Sequence, residues 1–433
     1  MFATLMLTAL IAAAPQQQGW PGPLEDDQLP ANTKLSAARS HLENSHGAGG
    51  HLGRQSQGAV LGIDTIENFS SYFYRPGVVP TQFGDFPQYS WTYTMVGRAP
   101  FGRDASEHTT HIDAPIVPVV VHLLNADGTQ RFLNGIPMIL DPSNVLPAVQ
   151  RSPIFQDFSY ASSERPTQFT DALHRASFFR MSDDDWHTLL QPSIKQARHV
   201  GFLRGTYRFA ADSAGNVIFV LVSTGVFVAE LFPPTPDDTT TLMGATEHAG
   251  DIRTRDIATF LFNNVYLQDD LNDPTTCCIL GFHSYDIEPG GEENGFREKH
   301  YVMDYASWTT PGLFGPAFQD ITALSHELAE TFADPFVNNA TPIWVGPNGL
   351  CQNNLETGDV IEGLPNATFS ITMNGFTYHP QNEALLQWFA GVTPSNAVKK
   401  AYSFPDITVL PTPSVSLLSD CATAVPAAKT TKK

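Results

Sequence analysis

The chain has 433 residues and 42% hydrophobic content, enough to fill the core of one large domain or two. Lys and Arg number 24 against 44 Asp and Glu, a formal net charge of −20, which argues against nucleic acid and anionic lipid as partners. No apolar run reaches the ~18 residues that a membrane-spanning helix needs, so no membrane insertion is expected.

Residues 1–14 (MFATLMLTALIAAA) form a short apolar run closed by small residues and followed by Pro15 and a Gln-rich stretch. That outline predicts a signal peptide over 1–18, although its start carries no Lys or Arg. The protein is therefore expected to be secreted, extracellular or periplasmic. Residues 19–57, rich in Gln, Pro, Gly, Ser and His without periodicity, read as a disordered leader that contains His41, His46 and His51.

The rest predicts an α+β fold. Residues 58–235 read as a β-rich N-terminal region: irregular β structure to about 110, then a strand over 116–124 closed by the turn Asn125-Ala126-Asp127-Gly128. Helical spacing follows in part of 168–190, and a hairpin over 200–232 that turns at 212–216. The run Pro233-Pro234-Thr235-Pro236 marks the boundary to a second region, 236–410. There the pattern predicts a helix over 251–265 and strands over 277–282 and 300–305, with a polar loop opened by Pro289-Gly290-Gly291 between the strands. Residues 411–433 read as a flexible tail. The acidic clusters at 183–185 and 269–273 lack the calcium-loop pattern and read as solvated loops.

Four cysteines, Cys277, Cys278, Cys351 and Cys421, allow three pairings. Neighbouring cysteines rarely pair with each other, so disulfide bridges from Cys277 and Cys278 to Cys351 and Cys421 are expected after export. No CxxC pair suggests a cysteine metal site. Asn68-Phe-Ser, Asn339-Ala-Thr and Asn366-Ala-Thr match the N-glycosylation pattern.

Residues 320–335, DITALSHELAETFADP, carry the chemistry. Ile321, Leu324, Leu328 and Phe332 recur at spacings of 3 and 4 as a helical stripe, with Asp320 as candidate N-cap and Pro335 as the stop. Residues four apart share a helix face, so His326 and Glu330 can reach one metal ion while Glu327 is free to act as a base. The run has the form of a metalloprotease helix whose second histidine is replaced by Glu330. The same residues could instead form a solvated face.

A catalytic metal takes three protein ligands and an open position. The metzincin motif would put a histidine ten residues after His326, but Phe336 stands there. Downstream, Leu355-Glu356-Thr357-Gly358-Asp359 offers two carboxylates in an order that resembles the gluzincin arrangement. That resemblance implies Glu356 as third ligand, with Asp359 either orienting a ligand histidine from behind or serving as the alternative ligand. Asp334 and His379 are reserve ligands, and His283, His300, Tyr301 and Tyr378 are conceivable oxyanion stabilisers.

More narrowly, SHELAETFADP, then Trp344, then Glu356-Thr-Gly-Asp359 is similar to a group of largely uncharacterised secreted bacterial proteins carrying SHELxExxTDP, a tryptophan and a Glu-Ile-Gly-Asp element near a cysteine. Their upstream strand resembles Cys278-Ile-Leu-Gly-Phe-His283. The likeness spans roughly 275–362, and more loosely 111–200, with Ala333 in place of the usual threonine and Cys351 before the element rather than after it.

The resemblance implies a zincin-like fold, a mixed sheet packed on an active-site helix, over 236–410. It also implies an exported metal-dependent hydrolase, a peptidase acting on a protein or peptide substrate. One histidine and two carboxylates nearly neutralise a divalent ion, which weakens it as a Lewis acid and admits Mn²⁺ or Ca²⁺ beside Zn²⁺. The alternative is a non-catalytic extracellular or cell-surface binding protein with a structural ion. No GxSxG, Walker or GxGxxG pattern points elsewhere.

Overall fold

The computed structural model describes residues 27–35, 55–56, 59–60, 62–81, 84–101, 109–163, 165–414 and 421. The expected signal peptide, most of the leader and most of the tail lie outside the described residues. Part of the leader is packed: strand β1 (Gln28–Leu29) adds in parallel to a sheet, Asp27 pairs with Arg131, and Leu35 is buried.

In chain order, the long antiparallel pair β2 (Asn68–Thr81) and β3 (Gly84–Val96) leads to β4 (Thr109–Leu124), whose β-branched run Ile116 to Val121 suits a strand buried on both faces. Helix α1 (Phe169–Ser177) follows, then β5 (His187–Ile194) and β6 (Arg198–Leu203), which both pair in parallel with β4. Only the first half of the expected helical stretch is therefore helical.

The hairpin β7 (Tyr207–Ala211) and β8 (Val217–Ser223) turns where Asp212 accepts the amides of Ala214, Gly215 and Asn216. Its second arm is shorter than the apolar run suggested. Helix α2 (Thr224–Leu231) takes over, with Phe227 and Leu231 one turn apart and buried.

The helix expected over 251–265 is a correction. Helix α3 (Leu242–His248), capped by Thr241, precedes it, and the stretch itself forms β9 (Ile257–Asn263) and β10 (Val265–Gln268). A continuous apolar run has no period that separates strand from helix, and here both faces are covered. Strands β11 (Cys277–Ile279), β12 (Gly281–Glu288) and β13 (Glu298–Trp308) complete the pattern.

Two mixed sheets result. In the larger, β4, β9 and β13 run parallel and β12 closes the edge antiparallel to β13. In the smaller, the order is β1, β7, β8, β10, β11. Residues 58–235 and 236–410 thus share one sheet, because β4 pairs with β9 across the proline-rich boundary. The molecule is α+β, with more strand than helix.

Helix α4 (Thr322–Ala333) packs on β12, β13 and α1, and all twelve of its residues are buried. Leu324, Leu328 and Phe332 join Phe169 and Leu173 in one core cluster. The helix ends ahead of Pro335, as expected, but Asp320 does not cap it. Its carboxylate instead takes the amides of Ile321 and His379 and the His379 ring Nδ1, at 2.7, 2.8 and 2.6 Å. Beyond α4, strands Ala340–Val345 and Cys351–Asn354 form a hairpin whose exit carries Glu356 and Asp359.

The expected disulfide connectivity is also corrected. Cys277 lies at disulfide distance from Cys278, and Cys351 from Cys421. Cys277 and Cys278 are buried with Ala210, Phe219 and Leu221 against the smaller sheet, whereas Cys351 sits on the hairpin after α4, so the two pairs never meet. Among the described residues no helix is long and apolar enough to cross a membrane.

Candidate metal centre

Helix α4 presents His326, Glu327 and Glu330 toward β12 and the 355–359 loop. One turn separates His326 from Glu330, and Nε2 of the ring lies 3.0 Å from Glu330 Oε2. Asp359 Oδ1 is 3.5 Å from the same ring nitrogen. Tetrahedral donors about 2.1 Å from a metal lie about 3.4 Å apart, so His326, Glu330 and Asp359 fit a common ion.

These ligand candidates are held from behind. Glu330 Oε1 accepts the amides of Gly358 at 2.9 Å and Asp359 at 3.3 Å, which leaves Oε2 to face the histidine. Gln352 donates to the second oxygen of Asp359, and Gln381 donates to the Gly358 carbonyl. Gly358 must be glycine for steric reasons, since a Cβ there would lie 2.5 Å from Nδ1 of His326.

Of the two carboxylates that the sequence offered as third ligand, Asp359 is the one that reaches His326. Glu356 comes instead to His283, with its Oε2 3.9 Å from Nε2. His283, on β12, turns Nδ1 to Glu327 Oε2 and Glu330 Oε2, each 3.6 Å away. His283, Glu327 and Glu330 thereby form a second group with metal-ligand spacing. Glu327 packs so closely on β12 that a Cβ at Gly281 would lie 2.6 Å from its Oε1.

Two further acids approach. Asp304 of β13 stands opposite His283 in the strand register, and its Oδ1 accepts from Thr259 at 3.2 Å. Glu383 is also buried, and with Thr357 it lines a small, mostly apolar pocket beside α4, walled by Met95, Leu173, Phe178 and Leu386.

The electrostatics follow from this crowding. Burial pushes the Glu327 carboxyl well above the usual range, His326 opposes the rise, and Glu330, Asp359 and Asp304 add to it. Burial does the same to Glu356, helped by Glu330, Asp334 and Asp359. Asp304 rises to about 8 by burial, against the bond from Thr259. For His326 burial works against the charge, but Glu330, Glu327 and Asp359 outweigh it and hold the ring's affinity for a proton well above normal. Each shift expresses one demand for positive charge. A proton or a cation can meet it.

Neither oxygen of Glu327 and neither of Glu356 has a hydrogen-bond partner among the described residues, although both side chains are fully buried. Buried carboxylates are normally paired or hydrogen-bonded, so this orphaning fits a cation at the centre.

The remaining candidates lie elsewhere. Asp334 accepts the amides of Asn338 and Asn339 and shapes the turn after α4. His379 is held by Asp320, His300 bonds Glu298, Tyr378 donates to the Ala148 carbonyl, and Tyr301 packs in the core cluster that both sheets share. Sequence reasoning missed His283 as a ligand and missed Asp304 and Glu383 altogether. A charged residue inside the apolar strand HYVMDYASW was the available signal for Asp304.

Compared with family models, curated proteins and solved structures, the chain matches none.

Proposed function

We propose that the protein is an exported metal-dependent hydrolase of zincin-like type, acting as a peptidase, with its ion held by His326, Glu330 and Asp359. The observation that carries the reading is Glu327: a buried carboxylate next to that donor set whose oxygens are committed to no hydrogen bond. A bound Zn²⁺, or Mn²⁺ or Ca²⁺ given the two oxygen donors, would supply carbonyl polarisation and a water of lowered pKa. Glu327, with Oε2 turned to the same side as Glu330 Oε2, would hold the proton given up by the attacking water and pass it to the leaving amine. The amides of Gly358 and Asp359 keep Glu330 in one orientation while the proton moves.

Export is supported by the signal-like N-terminus and by cysteine pairs at disulfide distance.

A second reading has its own support. His326, Glu327, Glu330 and Asp359 are all 0% exposed, the condition of a closed structural ion site in a non-catalytic binding protein. Glu327→Gln separates the two. The hydrolase reading expects loss of cleavage of unfolded protein substrates by 10²-fold or more, with the His326-held ion retained. Cleavage unchanged by Glu327→Gln, or absent from wild type carrying its metal, decides for the structural ion.

A further inference from the structure

The two groups with metal-ligand spacing share one residue. Glu330 Oε2 is 3.0 Å from His326 Nε2 and 3.6 Å from His283 Nδ1, while Oε1 is anchored by backbone amides. A single oxygen therefore faces two histidines from two different elements, α4 and β12. On one side it meets His326 and Asp359, and on the other His283 and Glu327.

Charge balance bears on the same point. One divalent ion neutralises Glu330 and Asp359 and leaves Glu327 and Glu356 as buried carboxylates whose four oxygens accept no hydrogen bond among the described residues and which have His283 nearby at 3.6 and 3.9 Å. Within the cluster the carboxylates face the two imidazoles of His283 and His326. An isolated buried carboxylate costs several kcal/mol, far more than the fold recovers elsewhere at one residue. A second divalent ion meets the deficit at Glu327 directly and, through His283, places positive charge beside Glu356.

We propose that the centre is dinuclear: a second divalent transition-metal ion is held by His283 Nδ1, Glu327 Oε2 and Glu330 Oε2, with Glu330 bridging the two ions. The observed separations of 3.6 Å between His283 and each carboxylate lie close to the ~3.4 Å between tetrahedral donors on one ion. Glu356 lies behind His283 at its other ring nitrogen and positions the imidazole, as carboxylates do behind ligating histidines. A bridging oxygen places two ions about 3.5–4 Å apart, the spacing at which two ions clamp the attacking and leaving groups of one hydrolytic reaction. Glu327 is then a ligand to the second ion, which alters its part in the mechanism. The inference rests on the metal reading above, but the two fail separately.

The test counts ions. Full-length protein is stripped with chelator, reloaded with Zn²⁺ or Mn²⁺, and analysed by titration calorimetry and elemental analysis. Wild type takes up two ions per chain, and His283→Ala and Glu356→Gln take up one or lose at least tenfold in affinity for the second. Mn²⁺-loaded wild type shows an exchange-coupled EPR spectrum, and His283→Ala, with wild-type circular dichroism and one tightly bound ion, shows an isolated-ion spectrum. One ion per chain in wild type, with His283→Ala unchanged, overturns the dinuclear centre and leaves the mononuclear hydrolase standing. No bound ion in wild type overturns both.

Discussion

Glu330 accepts the amide of Gly358 on one carboxylate oxygen, at 2.9 Å, and that bond decides which oxygen faces His326. The helix thereby depends on a loop that lies 28 residues further along the chain for the orientation of its own ligand.

Gly358 is accordingly a sensitive position. The Cβ of Gly358→Ala would meet Nδ1, Cε1 and Cγ of His326 at 2.5, 2.6 and 2.9 Å, so the ring or the loop must move. The expected cost is about 1–3 kcal/mol of stability, as for overpacking elsewhere, together with at least tenfold weaker metal binding. Calorimetric unfolding and a metal titration of the variant measure both. Unchanged affinity would mean that this contact does not set the ligand geometry.

Metal removal should make stability depend on pH in a defined direction. Glu327 and Glu356 are raised well above their ordinary range, Asp304 to about 8 and Asp334 to about 7, all chiefly by burial. The folded state therefore binds more protons than the unfolded state above the unfolded carboxyl range, and stability falls as pH rises. For Asp304 that window runs from its ordinary 3.8 to about 8. His326, raised by its carboxylate neighbours against burial, has the same sign. Chelated protein should lose Tm steadily between about pH 5 and 8, each retained proton contributing up to about 1.4 kcal/mol per unit, and metal should restore it most at the alkaline end. A chelator effect equal at both ends would contradict the cation demand.

The Asp320 and His379 pair is structural. Asp320 adopts φ of +38° and satisfies three donors at the start of α4. Asp320→Ala should cost about 2–3 kcal/mol by stranding those donors and straining the backbone. Asp320→Asn, which tolerates this conformation, should cost less, and urea unfolding of both variants ranks them.

Asn339 is not available to a glycan. Its side chain exchanges hydrogen bonds with the Thr94 backbone, both at 2.8 Å, and donates to the Ala333 carbonyl. Asn68 is likewise buried, whereas Asn366 is exposed. Folded protein secreted from a eukaryotic host should carry a glycan at Asn366 and none at Asn339 or Asn68, which peptide mass spectrometry reads directly. Asn339→Ala should destabilise the fold by about 2–4 kcal/mol because β3 loses its tie to the turn after α4.

Much of the scaffold was readable where local pattern is unambiguous. The strand at 116–124, the hairpin at 207–223 and the core of β13 carry β-branched or alternating residues bounded by turns. The pattern misled where burial covers both faces, as in β9, and at 224–231, where packing of Phe227 and Leu231 overrides β-branched neighbours. The adjacency of Cys277 and Cys278 misled on pairing, because proximity of Cys351 to Cys421 is set by the path of the chain across a separation of 70 residues, which spacing does not record.

By itself the sequence determined the part of the centre that lies on one helix. A period of 3.6 residues places His326, Glu327 and Glu330 within a turn of one another whatever the rest of the chain does. Only the tertiary structure decided that β12 brings His283 to the oxygens of Glu327 and Glu330, that β13 sets Asp304 opposite His283, and that Asp359 rather than Glu356 reaches His326. Those contacts depend on strand pairing and loop anchoring between distant segments, and residue spacing along the chain carries no record of either.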